Sequence, residues 1–118
     1  VFLLCRLFGL DEAMTNSLLP KSVTTPIAVG ISESHGGLVP VTVVAVIITG
    51  IMGSILAPWL IRIFRVKDSM TAGLSIGACS HAVGTSKAIE LGETEGAMSG
   101  LAIGICGILT VVFSLFLI

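Results

Sequence analysis

Two stretches of this chain run for helix length without an ionisable side chain. Leu38 to Ile61 covers 24 residues and Gly96 to Ile118 covers 23. Each exceeds the ~20 residues an α-helix needs to cross the hydrocarbon core of a bilayer. Neither lies at the N-terminus behind a basic region, so neither has the form of a secretory signal. Charged residues make up 11% of the chain, against ~25% in an ordinary soluble domain. Mean hydropathy is +1.10. Such a chain cannot cover its surface in water, and the lipid bilayer is its natural solvent. Backbone groups there must be paired within the chain, which leaves an all-α polytopic membrane protein as the expected fold class.

The remaining apolar stretches are each interrupted by a small polar cluster. The first reads Pro20-Lys21-Ser22-Val23-Thr24-Thr25-Pro26, and the second Gly77-Ala78-Cys79-Ser80-His81-Ala82-Val83-Gly84-Thr85-Ser86. Breaking hydrophobicity inside a membrane is costly, so such breaks line places where something polar binds or passes. Pro20 and Pro26 remove two backbone donors and disfavour helix at Leu19 and Thr25. Gly77 and Gly84 loosen the second segment without forbidding helix.

The order of features repeats. Asp11-Glu12-Ala13-Met14-Thr15 resembles Lys67-Asp68-Ser69-Met70-Thr71, and Thr24 to Ala28 falls against Ser80 to Gly84 at the same offset of 56. This gives one transmembrane domain over 1–118 with candidate repeat units 10–62 and 66–118, each a broken membrane helix followed by a continuous one. The interrupted segments, Ala13 to Ser32 and Ser69 to Leu91, are 20 and 23 residues long, enough to cross. If both cross, Arg6, Arg62, Arg65 and Lys67 share one side, as the positive-inside rule prefers. The units are then expected to be parallel repeats. Re-entrant segments would instead put Arg6 and the Arg62 cluster on opposite faces. Both breaks are expected to face each other near the bilayer midplane.

Gly92, Gly96, Gly100 and Gly104 recur every four residues, as do Gly73 and Gly77, and Gly50, Gly53, Ser54 and Ala57 form a smaller set. Small residues at this spacing let helices approach closely in lipid. Trp59 beside Pro58 reads as an interfacial anchor at a helix-end kink. Cys5, Cys79 and Cys106 lack pairing or metal spacing and are expected to be buried packing residues. A net charge of −1 excludes a nucleic-acid partner.

Among the polar residues, Lys21 stands out, because a lysine within a membrane crossing costs ~2.5–3.5 kcal/mol on insertion scales. It either holds an anion or snorkels to water. Ser22, Thr24, Thr25 and Ser80 offer hydroxyls at the breaks, with Thr85 one turn on, although such hydroxyls also bond to their own helix. His81 is a candidate anion contact or proton carrier, or else a structural histidine bonded to a carbonyl. Lys87 and Glu90, three apart, suit a solvated ion pair, and Glu33 and His35 suit a loop. No Ser-His-Asp set, metal cluster or phosphate loop has convincing spacing, so no enzyme and no cofactor is expected.

At these residues the chain resembles the LrgB family of bacterial membrane proteins, also called CidB or YohK-like and described as antiholin-like. The likeness is densest in Leu18 to Ala28, Ile47 to Gly53 and Ser80 to Ala88. Full members are about twice as long, so this stretch is expected to match their C-terminal half. The resemblance implies transport of small monocarboxylates such as pyruvate, glycolate or glycerate. By the older description, it implies control of murein hydrolase export, membrane permeability and cell lysis. It also implies a small LrgA/CidA-type membrane partner and a multi-pass place in the bacterial cytoplasmic membrane. A homo-oligomer is the expected assembly. The expected substrate site comprises Lys21, Ser22, Thr24, Thr25, Ser80, His81 and Thr85.

Overall fold

A computed structural model describes residues 1–117. These residues form six helices and no strand: α1 (Phe2–Leu7), α2 (Glu12–Leu18), α3 (Thr25–Ser34), α4 (Val39–Ile63), α5 (Ser69–Leu91) and α6 (Glu93–Leu117). Only α4 and α6 are long and apolar enough to span a bilayer, with mean hydropathies of 2.3 and 2.2 in their best windows. Most of their large apolar side chains, among them Ile48, Ile55, Ile108 and Phe113, are exposed. Bare apolar flanks of this kind fit lipid as solvent. The longest dimension of the molecule, 41 Å, is close to the ~37 Å length of a 25-residue helix.

The interrupted segments do not cross. In the first, α2 and α3 have 7 and 10 residues, or ~10 and ~15 Å, each about half of a bilayer core. The chain reverses over 19–24, and the end of α3 returns to the last turn of α2. Asn16 Nδ2 donates to His35 O at 2.7 Å, and Leu38 N donates to Ser17 Oγ at 2.6 Å. Thr42 Oγ1, one turn into α4, lies 2.7 Å from Ser32 Oγ and 3.0 Å from Ser17 O. Ser17, Ser32 and Thr42 are fully buried. In a protein whose outer faces are apolar, this hydroxyl cluster pins the hairpin base to the start of α4.

In α5 the reversal is sharper. His81 has φ 41° and ψ −141°, which divides the helix into arms 69–80 and 82–91. A Cβ placed on Gly84 would lie 3.1 Å from Ile76 Cγ2, whereas residues eight apart in a straight helix are ~12 Å apart. Ser69 and Leu91, the two ends of α5, line one small cleft with Ile61. The first arm runs parallel to α6: a Cβ on Gly73 would sit 2.9 Å from Glu95 Cα, and one on Gly77 would sit 2.8 Å from Ser99 Cα. The second arm runs antiparallel, with Ile89 against Gly96 and Thr85 bonded to Ser99.

Both polar segments are therefore helical hairpins, and the expectation of crossing segments in parallel units is corrected. Length and hydropathy are the same for one 23-residue crossing and for two short arms that return. With hairpins, Arg6 and the Arg62 cluster fall at opposite ends of α4. Arg6 shares a cavity with Thr110 and Phe113 near the end of α6, while Ile61 and Lys67 meet Glu95 near its start.

Three smaller expectations also change. Cys5 is buried, but Cys79 is exposed and Cys106 only half-buried, because Cys79 faces outward from its arm. Pro58 lies inside α4, which continues to Ile63 beyond it. Gly73 and Gly77 make the close approach expected of them, whereas Gly100 and Gly104 have nothing within 4 Å of an added Cβ. Lys87 and Glu90 form the expected ion pair, at 2.6 Å.

Asp68 caps α5. Its carboxylate accepts from Thr71 Oγ1 at 2.5 Å and Thr71 N at 2.7 Å. The hydroxyl, and then the backbone N–H, hold this carboxyl below its ordinary range. A lowered folded-state value stabilises the fold above the unfolded value and is lost as pH falls through the folded one. Detergent-solubilised protein should lose melting temperature below about pH 4, and Asp68→Ala should remove the Asp68 part of that decline. An identical acid profile in wild type and variant would count against the cap.

Candidate functional site

The two hairpins enter from opposite ends of α4, and their tips converge on its first half. Val23 from the first tip packs with Ala28 and Val46 in one buried cluster. From the second tip, His81 Nε2 lies 3.0 Å from Val46 O. A Cβ on Gly50 would stand 2.6 Å from His81 Cε1 and 2.9 Å from Val83 Cβ. Bareness at Gly50 is what lets the second tip lie against α4, and Gly53 does the same for Ser80. On α6, Gly107 meets Ile27, just past the first tip.

At the first tip, Thr24 is the N-cap of α3 with φ −60° and ψ 145°, and its side chain makes no capping bond. Thr25 and Pro26 open that helix. Lys21 is half-buried and Ser22 exposed, with Lys21 Nζ 3.5 Å from Ser22 Oγ. Among the described residues the one salt bridge is Lys87–Glu90, so Lys21 carries its charge without a carboxylate partner. At the second tip, Ser80 and His81 are buried, 2% and 4% exposed. Thr85 Oγ1 donates to His81 O at 3.0 Å and lies 2.7 Å from Ser99 Oγ, which must then be the donor to it. That relay braces the reversal from α6.

Thus the sequence-predicted residues fall into two groups. Lys21, Ser22, Thr24 and Thr25 form one, and Ser80, His81 and Thr85 the other. No hydrogen bond among the described residues joins the groups, and Val46 is their common neighbour. Each tip also carries the N-terminus of a ten-residue helical arm, α3 at one and 82–91 at the other. Such ends hold partial positive charge and free N–H groups. Two positive helix ends and an unpaired ammonium make the region between the tips suited to an anion. Sequence reasoning missed Val46, Gly50 and Ser99. The spacing of Gly50 and Gly53 signalled close packing but not its partner.

A cavity of about 750 Å³ lies elsewhere, bounded by Arg6, Glu12, Asn16 and Phe113. None of the sequence-predicted site residues lines it. Hydroxyls there are bonded within their own helices, Thr15 to Asp11 O, Thr110 to Cys106 O and Ser114 to Val111 O. Arg6 stacks over Phe2 at 5.3 Å.

Comparison with known proteins gives a match to the LrgB-like family over residues 1–118. The chain belongs to the LrgB-like family. It is 42% identical over 112 residues to the antiholin-like protein LrgB of Bacillus cereus (strain B4264), covering 95% of this chain and 49% of that one. The LrgB of Bacillus anthracis (strain CDC 684 / NRRL 3495) matches equally well. The chain therefore spans about half the length of the curated LrgB proteins it matches. No solved structure matches it. The three stretches read from the sequence as densest in LrgB likeness, 18–28, 47–53 and 80–88, fall at the first hairpin tip, the middle of α4 and the second reversal. They are distant in sequence and meet around Val46 and Gly50.

Proposed function

We propose that this chain forms the substrate-binding part of a secondary carrier for small monocarboxylates of the pyruvate, glycolate and glycerate type. The observation that supports this most is the convergence on Val46 of two hairpin tips, each ending in a positive helix terminus. In carriers, irregular backbone at membrane depth is tolerated where it lines a polar cavity, and half-helix N-termini meet anionic substrate groups. Lys21 neutralises the carboxylate. Ser22, Thr24, Thr25 and Ser80 donate to its oxygens, His81 contacts substrate or shuttles a proton, and Thr85 supports the second tip. No covalent chemistry is needed, and the protein is not an enzyme.

Units 10–62 and 66–118 are read as inverted repeats, each a hairpin followed by a span. Rocking of one unit against the other alternates access. Three basic residues at the end of α4, Arg62, Arg65 and Lys67, against Arg6 at its start, support a cytoplasmic side for that end by the positive-inside rule.

A second reading is favoured by the names of the relatives. It is an antiholin-like regulator of murein hydrolase export, membrane permeability and lysis, acting with an LrgA/CidA-type partner. The open face at Gly100 and Gly104 suits self-association. Uptake of labelled pyruvate or glycolate into proteoliposomes holding the full-length protein separates the two. Saturable uptake that unlabelled substrate competes away is expected for a carrier. Uptake no faster than in empty vesicles removes the carrier reading.

A further inference from the structure

The cavity of about 750 Å³ between α2 and the end of α6 is graded in chemistry. α2 supplies one wall through Glu12, Thr15, Asn16 and Leu19, the i, i+3, i+4, i+7 spacing of a single helix face. From the start of the helix, that face passes from a carboxylate through an amide to leucine, and Pro20 follows at the reversal. Pro20, Ile31 and Ser114 on the floor are buried, whereas Arg6, Glu12 and Phe113 at the rim are exposed. Hydroxyls on the walls give their hydrogens to their own helices: Thr15 to Asp11 O at 2.8 Å, Thr110 to Cys106 O at 2.7 Å and Ser114 to Val111 O at 2.8 Å. The interior therefore meets an occupant mainly with carbon, and the charge sits at the mouth.

Two opposite charges share that mouth without neutralising each other. Arg6 lies in the last turn of α1 and Glu12 in the first turn of α2. The turn between them runs through Gly9 at φ 66°, and Leu10 N donates to Cys5 O across it at 3.0 Å. Both side chains line the cavity, yet among the described residues the one salt bridge is Lys87–Glu90. Phe2 lies against the Arg6 guanidinium, 5.3 Å from ring centroid to Cζ, which holds its face and leaves its N–H edge for an oxyanion. Asn16, one turn beyond Glu12, donates Nδ2 to His35 O, and its amide oxygen remains an acceptor on the same wall. An unpaired cation and anion across one mouth match a zwitterion, whereas a lone carboxylate drawn to Arg6 also meets the like charge of Glu12. The volume equals ~25 water molecules at ~30 Å³ each, far more than a three-carbon acid fills.

We propose that this cavity holds a phospholipid with a zwitterionic phosphoethanolamine head group. The phosphate takes the Arg6 guanidinium, and the ammonium takes the Glu12 carboxylate and the Asn16 oxygen. One acyl chain lies inward along Leu19, Pro20 and Ile31, and the other leaves past Phe113 into the bilayer. Thr110 and Ser114 belong to the last two turns of α6, a helix long enough to span, so the mouth stands at the depth where head groups lie. The site is separate from the hairpin tips and holds whatever the protein carries.

The test is lipid retention by the full-length protein, delipidated in mild detergent, offered equal amounts of phosphatidylethanolamine and phosphatidylglycerol with the same acyl chains, and weighed by native mass spectrometry. Phosphatidylglycerol shares the phosphate and the tails but lacks the ammonium. Phosphatidylethanolamine should be retained about tenfold better, the lower end of what a hydrogen bond to a charged group gives. Glu12→Gln should equalise the two lipids, and Arg6→Gln should lower retention of both about tenfold. Both side chains are exposed, so neither change should disturb the fold. Soluble glycerophosphoethanolamine, the same head without tails, should not displace the lipid. Equal retention of the two lipids by wild type, unchanged behaviour of either variant, or displacement by the soluble head group overturns the proposal. So does a full-length protein that retains neither lipid, because another part of the chain then covers the cavity. No transport is measured, so each of these results leaves the carrier reading where it stands.

Discussion

Gly77→Val is expected to unfold the second hairpin from α6. A Cβ at this position would lie 2.8 Å from Ser99 Cα and 2.9 Å from Ala102 Cβ. Ser99 Cα belongs to the backbone of a 25-residue helix and cannot turn aside as a flexible side chain can. Relief requires the arm 69–80 to move away from α6. That breaks the fit at Gly73 and the Thr85–Ser99 bond together. The cost should reach at least the upper part of the ~1–3 kcal/mol range of overpacked cores. It should appear as a large fall in melting temperature in mild detergent. Gly104→Val is the control, since nothing lies within 4 Å of that position. Equal losses in the two variants would mean that helix contact is not the cause.

On the proposed carrier reading, Lys21→Met should abolish most carboxylate flux without unfolding the protein. The side chain is half-buried, and its one hydrogen-bond contact is Ser22 Oγ at 3.5 Å. Removing it leaves no buried partner unsatisfied, so melting should change little. A hydrogen bond to a charged group is worth about 1.5–3 kcal/mol, so kcat/KM for pyruvate or glycolate should fall roughly 10- to 150-fold. Lys21→Arg keeps the charge and should retain more flux than Met. Uptake by Lys21→Met within twofold of wild type would leave the lysine as a snorkelling residue and remove it from the site.

Which segments are apolar, where they break and which residues are polar at the breaks could all be read directly. Those properties depend on composition and on local backbone chemistry. The α4 and α6 spans are written in two uncharged runs, and Pro20 and Pro26 bracket the first reversal. Gly73 and Gly77 announce a close helix contact. Direction of travel was not legible. A hydropathy count is identical for a segment that crosses and one that turns back, and the second reversal occurs at His81, between the glycines that invited it. The burial of Ser17, Ser32 and Thr42 was equally hidden, since their hydroxyl cluster joins residues up to 25 apart.

The sequence by itself determined the solvent, the helical class, the LrgB-like kinship and the two polar breaks, because each is set by side-chain transfer energies or by residues close together in the chain. Only the tertiary structure decided that both breaks are hairpin tips and that Val46 lies beneath them. It also decided that His81 donates from Nε2. These outcomes depend on which backbones come within van der Waals contact, and that is settled by packing among helices far apart in the chain.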